Sequence, residues 1–185
     1  HVTAYKASLE ALAAANITTI CYNFMPILDW TRTNLRAEQP HGGAAMRFEL
    51  IDFAVFDLHI LQREEGVESY SEAQRAAAAE RFNALSDHRK KQLQRNIIAG
   101  LPGANDSWSL GDVRALLDSY KGITRAQLRS HLIDFLSVVA PCAEALGLRL
   151  GCHPDDQPFS LLGLPRVKSS CADYSLVLNA VDLPA

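Results

Sequence analysis

Apolar residues recur at helical spacing through most of the chain and close up into extended runs at two places. Tyr5, Leu9, Leu12 and Ala13 share one helical face, and Asn16 is its stop signal. The run 17–24 is β-branched and aromatic, which predicts a buried strand, and Met25-Pro26 closes it. The second run, 148–153, follows a long helical segment and turns abruptly from apolar residues to His153, Pro154, Asp155 and Asp156. A residue before proline is pushed out of the helical region, and proline itself removes a ladder donor. Both predicted strands therefore end at a proline, with polar groups at or beyond the end.

Between the strands the pattern is helical. Pro40-His41-Gly42-Gly43 reads as a turn with His41 exposed. Residues 48–63 are apolar over a helical length and predict one largely buried helix, in which His59 is expected to be a satisfied core histidine. Ser71 with Gln74, and Thr124 with Gln127, have the capping-box spacing, while Ser86 and Ser109 open further helices. Gly100-Leu101-Pro102-Gly103 ends one helix and Gly147 another. Leu128, Leu132, Phe135 and Val139 line one face of the helix that starts at Thr124, and Ser170 with Asp173 opens the last helix. The expected fold is α/β: two strands separated by an all-helical excursion far longer than the roughly 30 residues a βα unit needs. Two strands cannot form a sheet covered on both faces, so the chain reads as a fragment whose partner strands lie elsewhere.

Charge and cysteine content narrow the function. A net charge of −3 gives no basic face for nucleic acid, and the run Arg89-Lys90-Lys91 reads as a solvated helix face. No apolar run is long enough for a membrane span. Cys21, Cys142, Cys152 and Cys171 show no paired spacing and are expected to be reduced thiols of a cytoplasmic protein.

The chemistry-bearing residues gather at the strand ends. His153 sits where α/β folds place ligands, and imidazole with carboxylates is a common donor set for a divalent metal. A ligating histidine must be neutral, so binding weakens as pH falls through its titration. Of Asp155 and Asp156, one is expected to orient another group or take substrate hydroxyls and the other to cap a turn. Beyond the first strand, the stretch after Asn23 carries Asp29, Trp30 and Arg32, and a loop of such mixed polarity calls for a ligand or a partner to satisfy it.

The stretch from Cys21 through Asn23, Pro26, Asp29, Trp30 and Arg32 to Thr33 resembles the signature of the mannonate dehydratase family, as do Asn96-Ile97-Ile98-Ala99-Gly100-Leu101-Pro102-Gly103, His153-Pro154-Asp155-Asp156 and Leu162-Gly163-Leu164-Pro165-Arg166. The resemblance runs from Tyr5 onward. It implies a partial TIM (β/α)8 barrel of the sugar-isomerase-like kind, in which 1–185 is a fragment of a single catalytic domain. Strands 17–23 and 148–153 would be consecutive, with 65–123 as a helical insertion. It implies dehydration of D-mannonate to 2-keto-3-deoxy-D-gluconate in hexuronate breakdown, with Mn²⁺ or Fe²⁺ as cofactor and a sugar acid as the only small-molecule partner, and it allows a homo-oligomer. Residue by residue, His153 matches the family's metal-ligating histidine, and the remaining ligands are expected beyond Ala185. Asn23, Asp29, Trp30, Arg32, Asp155 and Asp156 are expected to face substrate. No residue is assigned as the general base. Cys171 is read as packing. Gln157, Lys168 and Ser170 depart from the residues commoner in the family. Two other readings stand beside this one: a related metal-dependent sugar isomerase or epimerase, and a helical interaction module without activity.

Overall fold

The structure is a computed structural model that describes residues 1–28, 30–99 and 108–181. Its elements, in chain order, are α1 (Val2–Ala14), β1 (Thr19–Tyr22), β2 (Asn34–Glu38), β3 (Ala44–Arg47), α2 (Leu50–Val55), a π-helical turn (Phe56–Leu61), a 3₁₀ stretch (Glu64–Ser69), α3 (Glu72–Ala84), α4 (Asp87–Ile98), α5 (Leu110–Asp118), α6 (Arg125–Ala145), β4 (Arg149–Cys152) and α7 (Cys171–Ala180). They form two compact units.

The first unit comprises 1–25, 122–159 and 165–185. Here β1 and β4 pair in parallel, Thr19 opposite Arg149 and Tyr22 opposite Cys152. Two helix–strand junctions of one construction feed them. At the end of α1, Asn16 turns left-handed (φ 59°) and Ile17 N–H bonds back to the Leu12 carbonyl. At the end of α6, Gly147 does the same (φ 69°), and Leu148 N–H bonds to the Ala143 carbonyl. Both are Schellman closures, which satisfy the last carbonyls of a helix and aim the chain into a strand. Leu9, Ala143 and Leu148 form the core between these pieces, and Tyr5 meets Phe135 edge-to-face at 5.1 Å.

Side chains alternate across a strand, and that alternation sorts this sheet. Ile20, Tyr22, Leu150 and Cys152 are buried or half-buried, whereas Thr19, Cys21, Arg149 and Gly151 are exposed. The expectation of buried strands thus holds for one face of each, and the other face is open among the described residues.

The second unit comprises 26–121 and 160–164. Its core joins Phe53, Phe56, Leu61, Leu93, Ile97 and Val113 with Leu161, Leu162 and Leu164, so a short segment that follows the His153 strand in sequence contributes three leucines to the helical core. Two expectations are corrected here. The chain carries more than two strands, because β2 and β3 form an antiparallel hairpin around the turn at Pro40–Gly43. The span 48–63 is not one helix but α2 followed by the π turn, ending at Gln62 in the left-handed region (φ 56°). The π turn buries Asp57, whose carboxylate takes Arg63 through both oxygens (Nε–Oδ1 2.9 Å, Nη2–Oδ2 2.7 Å) and the Tyr70 hydroxyl at 3.0 Å. His59 stacks on Phe82 at 5.0 Å, as a packed histidine should, but its buried Nε2 has no hydrogen-bond partner among the described residues.

The helix starts follow the caps. Ser71, Ser109 and Thr124 close full capping boxes with Gln74, Asp112 and Gln127, and Ser86 and Ser170 accept from Arg89 N–H and Asp173 N–H. Each such cap contributes about 1 kcal/mol.

Candidate functional site

His153 follows β4 directly, and its N–H still pairs with the Tyr22 carbonyl at 2.9 Å. Strand alternation places Asn23 and His153, both half-buried, on the same sheet face as Cys21 and Gly151, opposite the one holding Tyr22 and Cys152. Two groups predicted from separate stretches are thus brought to the carboxyl ends of adjacent parallel strands.

The ring of His153 is oriented by its neighbour. Its Nδ1 lies 2.8 Å from the Pro154 carbonyl oxygen. A carbonyl can only accept, so Nδ1 carries the proton and Nε2 carries the lone pair in the neutral ring. That tautomer, held by a backbone carbonyl, is one in which histidine can bind a metal, through Nε2. Asn23 adds a second donor atom, since its Oδ1 is buried without a hydrogen-bond partner among the described residues. An orphaned buried oxygen is costly unless a ligand completes it. His153 Nε2 thus suits a divalent cation as one ligand, and among the described residues no group of three His, Cys, Asp or Glu side chains gathers around it to complete such a site.

Asp155 and Asp156 part company. Asp155 is buried, and its Oδ2 accepts from Lys168 N–H at 2.6 Å and from the Ser169 hydroxyl at 2.9 Å. Its own N–H donates to the Lys168 carbonyl at 3.1 Å. Asp156 is half-buried. Lys168 is itself buried, with Nζ donating to the His153 carbonyl at 2.8 Å and lying 3.9 Å from Asp155 Oδ1. The polar chain continues through Ser169 N–H to Asp173, whose carboxylate holds Arg125 and Arg129 of α6. Burial alone would raise the Asp173 pKa, but the Ser170 hydroxyl and the two guanidiniums outweigh it and hold the carboxyl below its ordinary range.

Sequence reading did not find Lys168, Ser169 and Tyr174 as parts of this region. Tyr174 donates to the Cys152 carbonyl at 3.3 Å, and burial first, then the nearby Cys152, pushes its phenol up to about 12. Tyr22 is raised further, again chiefly by burial and then by its hydrogen bond with Cys152. Both tyrosines line a cavity of about 150 Å³ behind the sheet, walled by Leu132, Leu136 and Val177 and reached by Lys168. The polar run Lys168-Ser169-Ser170, directly before a helix, was the available signal.

The other predicted residues belong to the second unit. Asp29 lies outside the described residues. Trp30 is 48% exposed, and Arg32 is half-buried with Nη1 on the Thr31 carbonyl. Ile27 and Trp30 both hold positive φ (89° and 55°), a strained backbone that persists where a loop is tightly specified. Asn96, the first residue of a quoted motif, donates to the Thr33 carbonyl at 2.9 Å and pins the end of this loop.

Comparison with known proteins decides the family. The D-mannonate dehydratase (UxuA) model matches residues 1–185. The chain belongs to the D-mannonate dehydratase family. It is 50% identical over 185 residues to the mannonate dehydratase of Rhizobium meliloti (strain 1021), covering 100% of this chain and 46% of that protein. It is 49% identical over 182 residues to mannonate dehydratase 1 of Agrobacterium fabrum, covering 98% and 45% respectively. The chain thus spans about half the length of the curated relatives it matches. Among solved structures it resembles the crystal structure of mannonate dehydratase from Streptococcus suis serotype2, with a TM-score of 0.61, 24% identity, and coverage of 98% of this chain and 38% of that one. At that identity the likeness speaks to fold, and the fold is α/β. The family's quoted motifs are spread across both units: Asn23 and the His153 stretch in the first, Trp30, Arg32 and Asn96 in the second. No helix among the described residues is long and apolar enough to cross a membrane.

Proposed function

We propose that the intact protein containing this chain is a metal-dependent hydro-lyase of the cytoplasm that dehydrates D-mannonate to 2-keto-3-deoxy-D-gluconate in hexuronate breakdown. The family match over the whole chain carries this reading, and the oriented His153 beside Asn23 supports it. Residues 1–185 are part of one TIM-barrel domain, with β1 and β4 as consecutive strands and 65–123 as its helical insertion. The parallel pairing of two strands fed by identical helix closures supports that arrangement.

Elimination from an aldonate begins by removing a proton α to a carboxylate, and the negative charge that develops needs a strong electrostatic partner. A bound Mn²⁺ or Fe²⁺ would supply that Lewis acidity. His153 Nε2 would hold the cation, and Asn23 Oδ1 would accept from a hydroxyl of the sugar acid. Arg32 presents a planar guanidinium suited to the substrate carboxylate. Asp29 and Asp156 would bind hydroxyls, and Trp30 would exclude water. Asp155 would support Lys168 rather than bind substrate, since its carboxylate is taken up by Lys168 and Ser169. The assembly partner would be a second copy of the same protein.

The test is a product assay on the intact protein with D-mannonate and Mn²⁺, run beside His153→Ala. A 2-keto-3-deoxy acid that disappears on chelation, and is lost in a folded His153→Ala variant, is expected. An isomerised or epimerised sugar acid would replace the dehydratase with the isomerase reading.

A further inference from the structure

We propose that Lys168 is a positioning residue for the metal-binding histidine: its buried ammonium fixes the main chain of His153 and thereby the direction of Nε2. This rests on the reading above that His153 holds the cation.

Three of its contacts bear on the freedom of His153. Its N–H is paired to the Tyr22 carbonyl at 2.9 Å, its carbonyl accepts from Lys168 Nζ at 2.8 Å, and its ring Nδ1 is bound to the Pro154 carbonyl at 2.8 Å. The first belongs to the sheet and the third to the adjacent residue. The second comes from 15 residues away and is imposed by a distant segment.

Lys168 is poorly explained as a stabilising ion pair. Its side chain is 2% exposed and that of Asp155 is 1% exposed, yet Nζ and Oδ1 stand 3.9 Å apart. Burying an ammonium and a carboxylate costs more than such a loose pair returns. The shorter contact is to the His153 carbonyl. Asp155 in turn grips the main chain of Lys168 on both sides, through Lys168 N–H to Oδ2 and Asp155 N–H to the Lys168 carbonyl. The arrangement holds the lysine so that the lysine can hold the histidine. Beyond it, Ser169 and Asp173 tie the segment to Arg125 and Arg129 of α6, so the support rests on a long helix rather than on a loop. A ligand must be kept within roughly 0.5 Å of its productive place, and loss of such outer support costs on the order of 10–100-fold in metal affinity.

The experiment titrates the metal-free intact protein with Mn²⁺ in wild type, Lys168→Met, Lys168→Met/Asp155→Asn and His153→Ala. The double variant removes both charges and keeps the site buried without an unpaired carboxylate. Expected are a dissociation constant for Mn²⁺ raised at least tenfold in both lysine variants and turnover that recovers at saturating Mn²⁺ with the KM for D-mannonate unchanged. A purely structural lysine would lower thermal stability and leave the Mn²⁺ constant alone, which overturns the proposal if His153→Ala has lost the metal. Retention of Mn²⁺ by His153→Ala removes the reading beneath it, and the proposal falls with it. Hydrogen exchange on the wild type needs no variant to fold: Mn²⁺ is expected to slow exchange at 167–169, and unchanged exchange there overturns the proposal.

Discussion

Arg63 and Asp57, six residues apart across the end of a π-helical turn, form a bidentate ion pair with Asp57 wholly buried and the Arg63 side chain 11% exposed. The Tyr70 hydroxyl and Ser69 complete the cluster. Breaking a buried pair from one side leaves the other charge uncompensated and costs about 3–5 kcal/mol. Arg63→Met is expected to lower the stability of the intact protein by that amount in urea unfolding. Arg63→Met with Asp57→Leu is expected to lose less than the single change. Equal losses would show that the pair itself, and not the stranded carboxylate, carries the effect.

The same guanidinium limits what residue 163 can be. Gly163 has φ 75°, and a Cβ there would lie 3.1 Å from Arg63 Nη1. Gly163→Ala therefore meets a left-handed backbone penalty of about 1–2 kcal/mol and a side chain that Asp57 holds in place. A drop in melting temperature is expected, partly relieved when Arg63 is also replaced. No relief would mean that backbone conformation alone decides.

Acid stability depends on Asp173. Its folded pKa is depressed, so its contribution is fully present above the unfolded carboxylate value of about 3.9 and is lost as pH falls through the folded value. Denaturant unfolding followed from neutral pH into this acid range should steepen below about pH 4 in the wild type. The Asp173→Asn variant should start less stable and fall more gently. Parallel curves would exclude Asp173 as a source of the acid sensitivity.

Alkaline stability has the opposite sign. Tyr174 is raised to about 12 in the folded protein, so its contribution is intact below the ordinary phenol value near 10 and is lost as pH climbs toward the folded value. Phenolate absorbance should show a late-titrating fraction that Tyr174→Phe diminishes. Ordinary titration of every tyrosine would contradict the upward shifts at the buried Tyr22 and the half-buried Tyr174.

Thr124 opens α6, the helix that carries Arg125 and Arg129. Thr124→Ala removes a cap whose hydroxyl accepts from Gln127 N–H at 3.2 Å, and a loss of about 1 kcal/mol in unfolding free energy is expected. Restoration by Thr124→Ser would assign the loss to the hydroxyl.

What could be read in advance was local. Ser71 with Gln74, Thr124 with Gln127, and the stops at Asn16 and Gly147 announce themselves because a cap and its partner are three to five residues apart. His153 was legible because a proline follows an apolar run. The hairpin of β2 and β3 was not, since Leu35 and Met46 are 44% and 64% exposed and the strands show no buried row to alternate with. Asp57 reads as the polar face of a helix until the π turn rotates it inward. Lys168 meets His153 only after the chain has left for Leu161–Leu164 and returned, a contact with no sequence period.

The paired closures at Asn16 and Gly147 also bear on how such a chain can change length. Each strand's starting point is set by its own helix stop, so register is not measured along the connection between them. Lengthening a connection costs only about 0.6 kcal/mol per doubling in closure entropy. A change of length within that connection can thus leave β1 and β4 in their places beside each other.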